Sequence, residues 1–236
     1  MMRFAHVTTC ACFLATASLA AAQAHAQVQV PGAEWASYRD AYRAVVVFEK
    51  YGGAKTLLQN QLQLLPREKG VLGEGVQLIL KGKTVQTSLA FDALGRGVLP
   101  LIKTAYDENA VLAPNRPIGP FALRARVGIA TQADNTYEAA DLRAACQQAL
   151  DFARHTDAGA RSRQCVGVRL VFPKKGSDTT VRLRRLDGEA ALPVAQGAAF
   201  AGDADADFPV VNYRFGSERA QLVTYSAPLA IVPLFE

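Results

Sequence analysis

Alternating apolar and polar residues in short segments, two stretches with helical spacing, and turn residues between them predict a mainly β protein with two helices, α+β in class. The 236-residue chain holds 18 Gly and 11 Pro, and 50 % of it is hydrophobic, so a substantial core can form. A phrase that occurs twice extends this expectation to two related β-sandwich-like domains, each preceded by a helix.

The chain opens MMRFAHVTTCACFLATASLAAAQAHAQVQV. Arg3 precedes an apolar run from about Ala11 to Ala22, and Ala24-His25-Ala26 offers a small-x-small cleavage site before Gln27. These are the parts of a signal peptide covering residues 1–26. The run is too short to cross a membrane, which takes about 20 residues. Cys10 and Cys12 precede most of it, where a lipid-anchor cysteine would follow it. The expectation is export to the periplasm. The exported chain of about 210 residues keeps all charged residues but Arg3, so the formal charge falls from +5 to about +4. Lys and Arg are scattered without dense runs, which argues against a nucleic-acid partner. No other segment has membrane-spanning length.

The first helix is expected within EWASYRDAYRAVVVFEKYGG, where Trp35, Tyr38, Tyr42, Val45 and Val46 recur at helical spacing and Gly52-Gly53 provides a stop. The second is expected within NTYEAADLRAACQQALDFARHTDAG, with the stripe Leu142, Ala145, Cys146, Ala149 and Ala153. Asn135 and Glu138 read there as a capping-box variant, and Gly159 as the end.

After each helix comes the repeated phrase. Residues Gly75 to Pro100, GVQLILKGKTVQTSLAFDALGRGVLP, match Gly167 to Pro193, GVRLVFPKKGSDTTVRLRRLDGEAALP, with one inserted residue. Val85, Thr87, Leu89 and Phe91 alternate with Gln86, Ser88 and Ala90, and Val181 and Leu183 alternate with Arg182 and Arg184. Such alternation marks strands with one face in a core. Gly95 and Gly188 provide positive φ where the chain reverses, and Leu99 with Leu192 is expected to return to the core before Pro100 and Pro193. Further strands are expected at PFALRARVGI, with Phe121, Leu123, Ala125, Val127 and Ile129 inward, and at FPVVNYRF, AQLVTYS and PLAIVPLF. Pro114, Pro117, Pro120, Pro209, Pro228 and Pro233 suit edge strands and loops. The expected division is residues 27–131 and 132–236, near ATQADNT.

Gly-Val-x-Leu followed by Thr87, Phe91-Asp92-Ala93 and Gly95-Arg96 resembles the transthyretin-like, or carboxypeptidase regulatory-like, β-sandwich. The likeness covers about 27 residues of each copy, and in the second only Gly188 and the Leu-Pro ending remain. Arg185 stands there in place of Asp92. The tandem arrangement also resembles uncharacterised exported proteobacterial proteins. The resemblance implies a sandwich fold and no particular activity or catalytic residue.

Two cysteines, Cys146 and Cys165, remain after residue 26. In an oxidising compartment such a pair predicts a disulfide. Against this, Cys165 alternates with Gly167 and Arg169 rather than with the apolar set Val166, Val168 and Leu170.

Chemistry-bearing motifs are scarce. His155 is the one histidine beyond residue 26, and no Gly-x-Ser-x-Gly accompanies it, which argues against a catalytic triad and against a zinc site. Asp203, Asp205 and Asp207 alternate as at the start of a calcium loop, but Phe208 and Arg214 stand where that loop requires Gly and Glu. No nucleotide-binding fingerprint is present, so no cofactor and no metal is expected. Arg124 and Arg126, with Arg182, Arg184 and Arg185, form the basic group capable of binding an anionic ligand if their strands face the same side. The expected function is a non-catalytic binding or structural module for a protein or cell-envelope component. An envelope hydrolase using paired carboxylates and a pilus-type chaperone are the alternatives.

Overall fold

The computed structural model describes residues 35–67, 72, 75–176, 178–217 and 219–236. The signal peptide expected at residues 1–26 lies outside them. In chain order the first half contains β1 (Ala36–Ser37), α1 (Tyr38–Lys50), β2 (Leu58–Pro66), β3 (Gln77–Lys81), β4 (Gln86–Ala90), β5 (Arg96–Gly97), α2 (Lys103–Asp107), β6 (Val111–Pro114) and β7 (Phe121–Ile129). The second half contains β8 (Thr136–Glu138), α3 (Ala139–Thr156), β9 (Cys165–Val171), β10 (Val181–Arg185), β11 (Gly188–Ala191), β12 (Ala195–Gly197), β13 (Phe208–Arg214), β14 (Ala220–Thr224) and β15 (Ala230–Phe235). The protein is therefore mainly β, as the alternation predicts, with three helices among the described residues instead of two. The short α2 has too few residues to carry a periodic signal.

The strands form three antiparallel sheets. A four-stranded sheet β1-β6-β3-β4 belongs to the first half, and a four-stranded sheet β8-β14-β10-β11 to the second. Between them runs a seven-stranded sheet, β5-β2-β7-β15-β9-β13-β12, to which both halves contribute. The halves meet at Ile231 of β15, which pairs with Ile129 of β7. One row of side chains crosses this junction: Leu58, Ile129, Ile231, Leu170 and Val211 lie opposite one another in sequence across five strands. All five are at most 8 % exposed.

Each flanking sheet places the first strand of its half beside the last but one, followed by the third and fourth. This order is out of step with the repeated phrase. Gly75–Pro100 spans β3, β4 and β5, whereas Gly167–Pro193 spans β9, β10 and β11. Yet β3 lies in a flanking sheet and β9 in the central one, between β13 and β15. By position, β3 corresponds to β10. The Leu192 amide donates to the Val181 carbonyl at 2.9 Å, so Leu192 stands opposite Val181 as Leu89 stands opposite Leu78. Its counterpart is Leu89, and Leu99 occupies a different place: Leu99 is buried and Leu192 half-buried. The phrase misleads because Gly-Val-x-Leu buries its two apolar residues in any half-covered strand.

The helices are the clearest structural match. Counted from the caps Ser37 and Glu138, the buried residues Tyr38, Ala41, Val45 and Phe48 of α1 fall where Ala139, Leu142, Cys146 and Ala149 fall in α3. The stripe of α1 thus starts later than its sequence suggests. Trp35 precedes the helix and is 46 % exposed. The Ser37 hydroxyl caps α1 by accepting from the Asp40 amide at 3.3 Å. At the other end the Lys55 ammonium donates to the Phe48 and Glu49 carbonyls at 2.8 and 2.7 Å, where a cation opposes the helix dipole. The capping box at Asn135 does not form, because Asn135 sits in the left-handed region at φ 56° before β8 and α3 begins only after Glu138.

Both helices lie on the same face of the central sheet. Tyr38, Ala41 and Val45 share one core with Leu62, Leu64 and Leu123 of that sheet and with Leu78, Leu80, Leu89 and Leu112 of the first flanking sheet. Leu142, Cys146 and Ala149 share a second core with Val168, Leu170, Val211 and Ile231 and with Val181, Leu183 and Leu222. Phe48 of α1 belongs to this second core and meets Phe152 of α3 edge-on, with ring centroids 5.3 Å apart.

Cys146 and Cys165 form a disulfide, with Cα atoms 6.0 Å apart. The objection from alternation is removed by a register shift: Leu234 pairs with Gly167, but Phe235 pairs with Cys165. Val166 is skipped, and Cys165 packs against the helix-side core. Gly167 is needed at this irregularity, since a Cβ there would lie 2.2 Å from the Tyr213 carbonyl oxygen. Pro233 also departs from expectation, because β15 is the middle strand of seven. Beyond Ile231, however, no residue of β15 is paired with β7, so a strand position without a donor is tolerated there.

Candidate functional site

The face of the central sheet turned away from the helices carries its polar residues. Pairing aligns Arg96, Gln63 and Arg124 in one row, and Gln61 with Arg126 in the next. Farther across the sheet Val232, Arg169 and Asn212 form another row, and Leu234, Gly167 and Arg214 a fourth. Alternation places these residues opposite Leu62, Leu64 and Leu123, which face the helices.

Part of this face is covered by the segment from Ala198 to Asp207. Ala199, Phe200 and Phe208 pack on Val171, Val210 and Ala230, together with Leu94 from the first half. Phe200 lies below the Arg126 guanidinium, 4.6 Å from ring centroid to guanidinium carbon. Asp203 then turns back onto the sheet. Arg126 pairs with its Oδ1 through Nη2. Arg126 Nε donates to Gln63 Oε1 at 2.6 Å, and Gln63 Nε2 donates to Asp203 Oδ2 at 3.1 Å. Gln63 Nε2 also donates to the Leu94 carbonyl at 3.1 Å. Burial lowers the Arg126 pKa to about 10; Asp203 opposes that shift and the neighbouring Arg124 adds to it. Arg126 stays charged at neutral pH, and both oxygens of Asp203 are engaged.

Arg96 supports the same covered region. Its side chain is 3 % exposed, and its Nε and Nη2 donate to Asp92 Oδ2 at 3.0 and 2.7 Å. Nη2 also donates to the Leu229 carbonyl, joining the two halves. The turn that places Arg96 depends on Gly95, whose φ is +70°; a Cβ there would lie 2.7 Å from the Leu64 carbonyl oxygen. Asp92 Oδ1 accepts from the Leu94 and Arg96 amides at 2.9 and 2.8 Å. The stretch FDALGR is thus a turn tied by its own side chains.

Beside the covered region lies a shallow groove of about 260 Å³, lined by Leu65, Pro66, Arg67, Ala122, Arg124 and the loop Gly202–Ala204. Arg124 is half-buried and Arg67 exposed. Among the described residues neither makes an ion pair. Farther across the same face, Arg169 has neutral partners: Asn212 Oδ1 at 2.9 Å and the Ala198 carbonyl at 2.8 Å. Arg214 pairs with Glu236.

The structure divides the basic group read from the sequence. Arg124 and Arg126 are on the central sheet, whereas Arg182, Arg184 and Arg185 are on β10 of a flanking sheet. Arg182 and Arg184 both approach Glu189 of the neighbouring β11 at 3.5 Å. Asp205 takes the Lys174 ammonium at 2.7 and 2.8 Å. His155, at the end of α3, stacks at a tilt on Tyr51 with centroids 5.1 Å apart. Among the described residues, no three His, Cys, Asp or Glu side chains are grouped to hold a metal ion. The sequence reading does not nominate Arg67, Gln63 or Arg169 as site residues, and it names Arg96 only within the Gly95-Arg96 motif. For Gln63 and Arg169 the one signal there is their place as polar alternates to buried apolar residues. Nothing along the chain links Asp203 to Arg126.

No protein-family model, curated protein or solved structure matches the chain.

Proposed function

We propose that this is an exported, non-catalytic binding module that holds an anionic cell-envelope polymer on the face of its central sheet opposite the helices. The observation that carries this reading is the side-chain chemistry of that face. Arg124 and Arg169 have no carboxylate partner among the described residues, and half-exposed Gln59 and Gln61 and exposed Asn212 stand beside them. Guanidinium and amide groups on a rigid sheet suit the carboxylates, phosphates and hydroxyls of a polysaccharide. An apolar protein-docking surface would present aromatic and aliphatic anchors instead.

The periplasmic setting rests on the leader at residues 1–26 and accords with the Cys146–Cys165 disulfide. No described helix is long and apolar enough to cross a membrane. A hydrolase would need two carboxylates free to act, whereas Asp203, the carboxylate lining the groove, is held by Arg126 and Gln63. The matching strand orders and helix positions support reading the chain as two related halves that meet near residues 130–135, in a register set by the helices and not by the repeated phrase.

The test is retention of the chain Gln27–Glu236 on immobilised polygalacturonate, with neutral dextran as control. Retention on the acidic matrix alone, with Arg169→Gln eluting at lower salt, is the expected result. Equal behaviour on both matrices, or no shift for Arg169→Gln, would refute the reading.

A further inference from the structure

We propose that the groove between the Arg124 end of β7 and the loop Gly202–Ala204 binds a single oxyanion, a carboxylate or phosphate, carried on a group the size of one sugar. This deepens the reading of the open face, on which it rests, by assigning a discrete subsite.

Three observations converge on it. First, Arg124 and Arg126 are two residues apart on one strand and share a face, so their like charges repel unless each is compensated. Asp203 compensates Arg126, and no described carboxylate does the same for Arg124. Arg67 lines the groove from the adjacent strand end, and its backbone is fixed by an amide hydrogen bond to the Pro120 carbonyl at 2.9 Å. Two arginine residues therefore line one small space.

Second, the remaining described residues of the lining carry no polar side chain: Leu65, Pro66, Ala122, Gly202 and Ala204. Apolar walls beside the half-buried Arg124 leave few protein groups to compete for its charge-assisted hydrogen bonds to an anion. A volume of about 260 Å³ falls just below the usual range for drug-sized ligands and suits a single ring.

Third, the one acidic residue among the described residues that line the groove is already committed. Asp203 is bound through both oxygens, by Arg126 and by Gln63, and this holds the Gly202–Ala204 wall on the sheet. The wall is thus formed before any ligand arrives.

Isothermal titration of the chain Gln27–Glu236 with galacturonate, glucose 6-phosphate and glucose tests the site. At least one of the two anionic sugars should bind and glucose should not, and which of them binds identifies the oxyanion. Arg124→Gln should weaken binding by about tenfold or more, and Arg67→Gln should weaken it to a smaller extent. The urea midpoint of each variant should stay within error of the parent. Binding of neither anionic sugar, or binding unchanged in Arg124→Gln, overturns the site. Failure here is separable from failure of the open-face reading. Polygalacturonate retention that depends on Arg169 but not on Arg124 leaves the open face standing and removes the groove. Small-anion binding lost in Arg124→Gln, without retention of the polymer, does the reverse.

Discussion

Arg126 of β7 and Asp203, 77 positions later in the chain, form an ion pair on the central sheet in which the two side chains are 13 % and 8 % exposed. Gln63 bridges them, donating to one partner and accepting from the other. This triangle fastens the covering segment of the second half to the strands of the first.

Removing one member of a buried pair leaves the other charge unpaired, which costs far more than the intact pair contributes. Asp203→Ala is therefore expected to lower unfolding stability by about 3–5 kcal/mol. Asp205→Ala is the control, because the pair of Asp205 with Lys174 is 36 % and 29 % exposed and is worth about 0–1 kcal/mol. Urea unfolding checks both; comparable midpoints for the two variants would contradict the account.

The Cys146–Cys165 bridge closes 19 positions of sequence, and restraint of the unfolded chain by such a loop is worth about 3 kcal/mol. For about 210 residues this corresponds to a melting temperature roughly 6–12 °C lower in the Cys146→Ala, Cys165→Ala double variant. Alkylation followed by mass spectrometry of the unreduced chain from Gln27 should find no free thiol. Two alkylated cysteines would show that the bridge does not form.

Glu108, just after α2, clasps the turn between β3 and β4. Its Oε2 accepts from the Lys83 and Thr84 amides at 2.6 and 3.1 Å. Hydrogen bonds from Thr84, side chain first and then backbone, hold its pKa below the ordinary 4.5. A carboxyl lowered in the folded state contributes its stabilisation above the unfolded value and loses it as pH falls through the folded value. Exchange protection at the Lys83 and Thr84 amides should therefore be full above the ordinary carboxyl value of 4.5 and decline as pH falls through the lowered folded value. Glu108→Gln should flatten that dependence. A decline as steep in the variant as in the parent would assign it to another group.

Much of the architecture can be read along the chain because it follows from local periodicity. The strands at Phe121–Ile129, Phe208–Arg214, Ala220–Thr224 and Ala230–Phe235 all form where the pattern places them, and Phe121, Leu123 and Ile129 are buried as expected, with Ala125 and Val127 half-buried. The second helix carries its expected stripe through Leu142, Ala145, Cys146 and Ala149. Gly95 and Gly188 adopt the positive φ their turns require. The cysteine pair was also legible, although the skipped Val166 that turns Cys165 toward the core was not.

The sequence by itself determined the two long helices and the strands that alternate cleanly, and which side of each is apolar, while the short α2 and the strand β2 were not expected from it. Those properties depend on neighbours two to four residues away, where side-chain spacing is set by the backbone. Only the tertiary structure decided how the strands are ordered, that the two halves share one seven-stranded sheet, and that the repeated phrase falls at unlike places in it. It also decided the fate of the charges, since Arg124 and Arg126 look equivalent in sequence and, among the described residues, Arg126 alone receives a carboxylate, Asp203. Strand pairing and charge pairing join residues tens of positions apart, and alternation is the same in every half-covered strand. The pattern that marks a strand therefore does not name its neighbour; burial of the whole core and compensation of each buried charge select it.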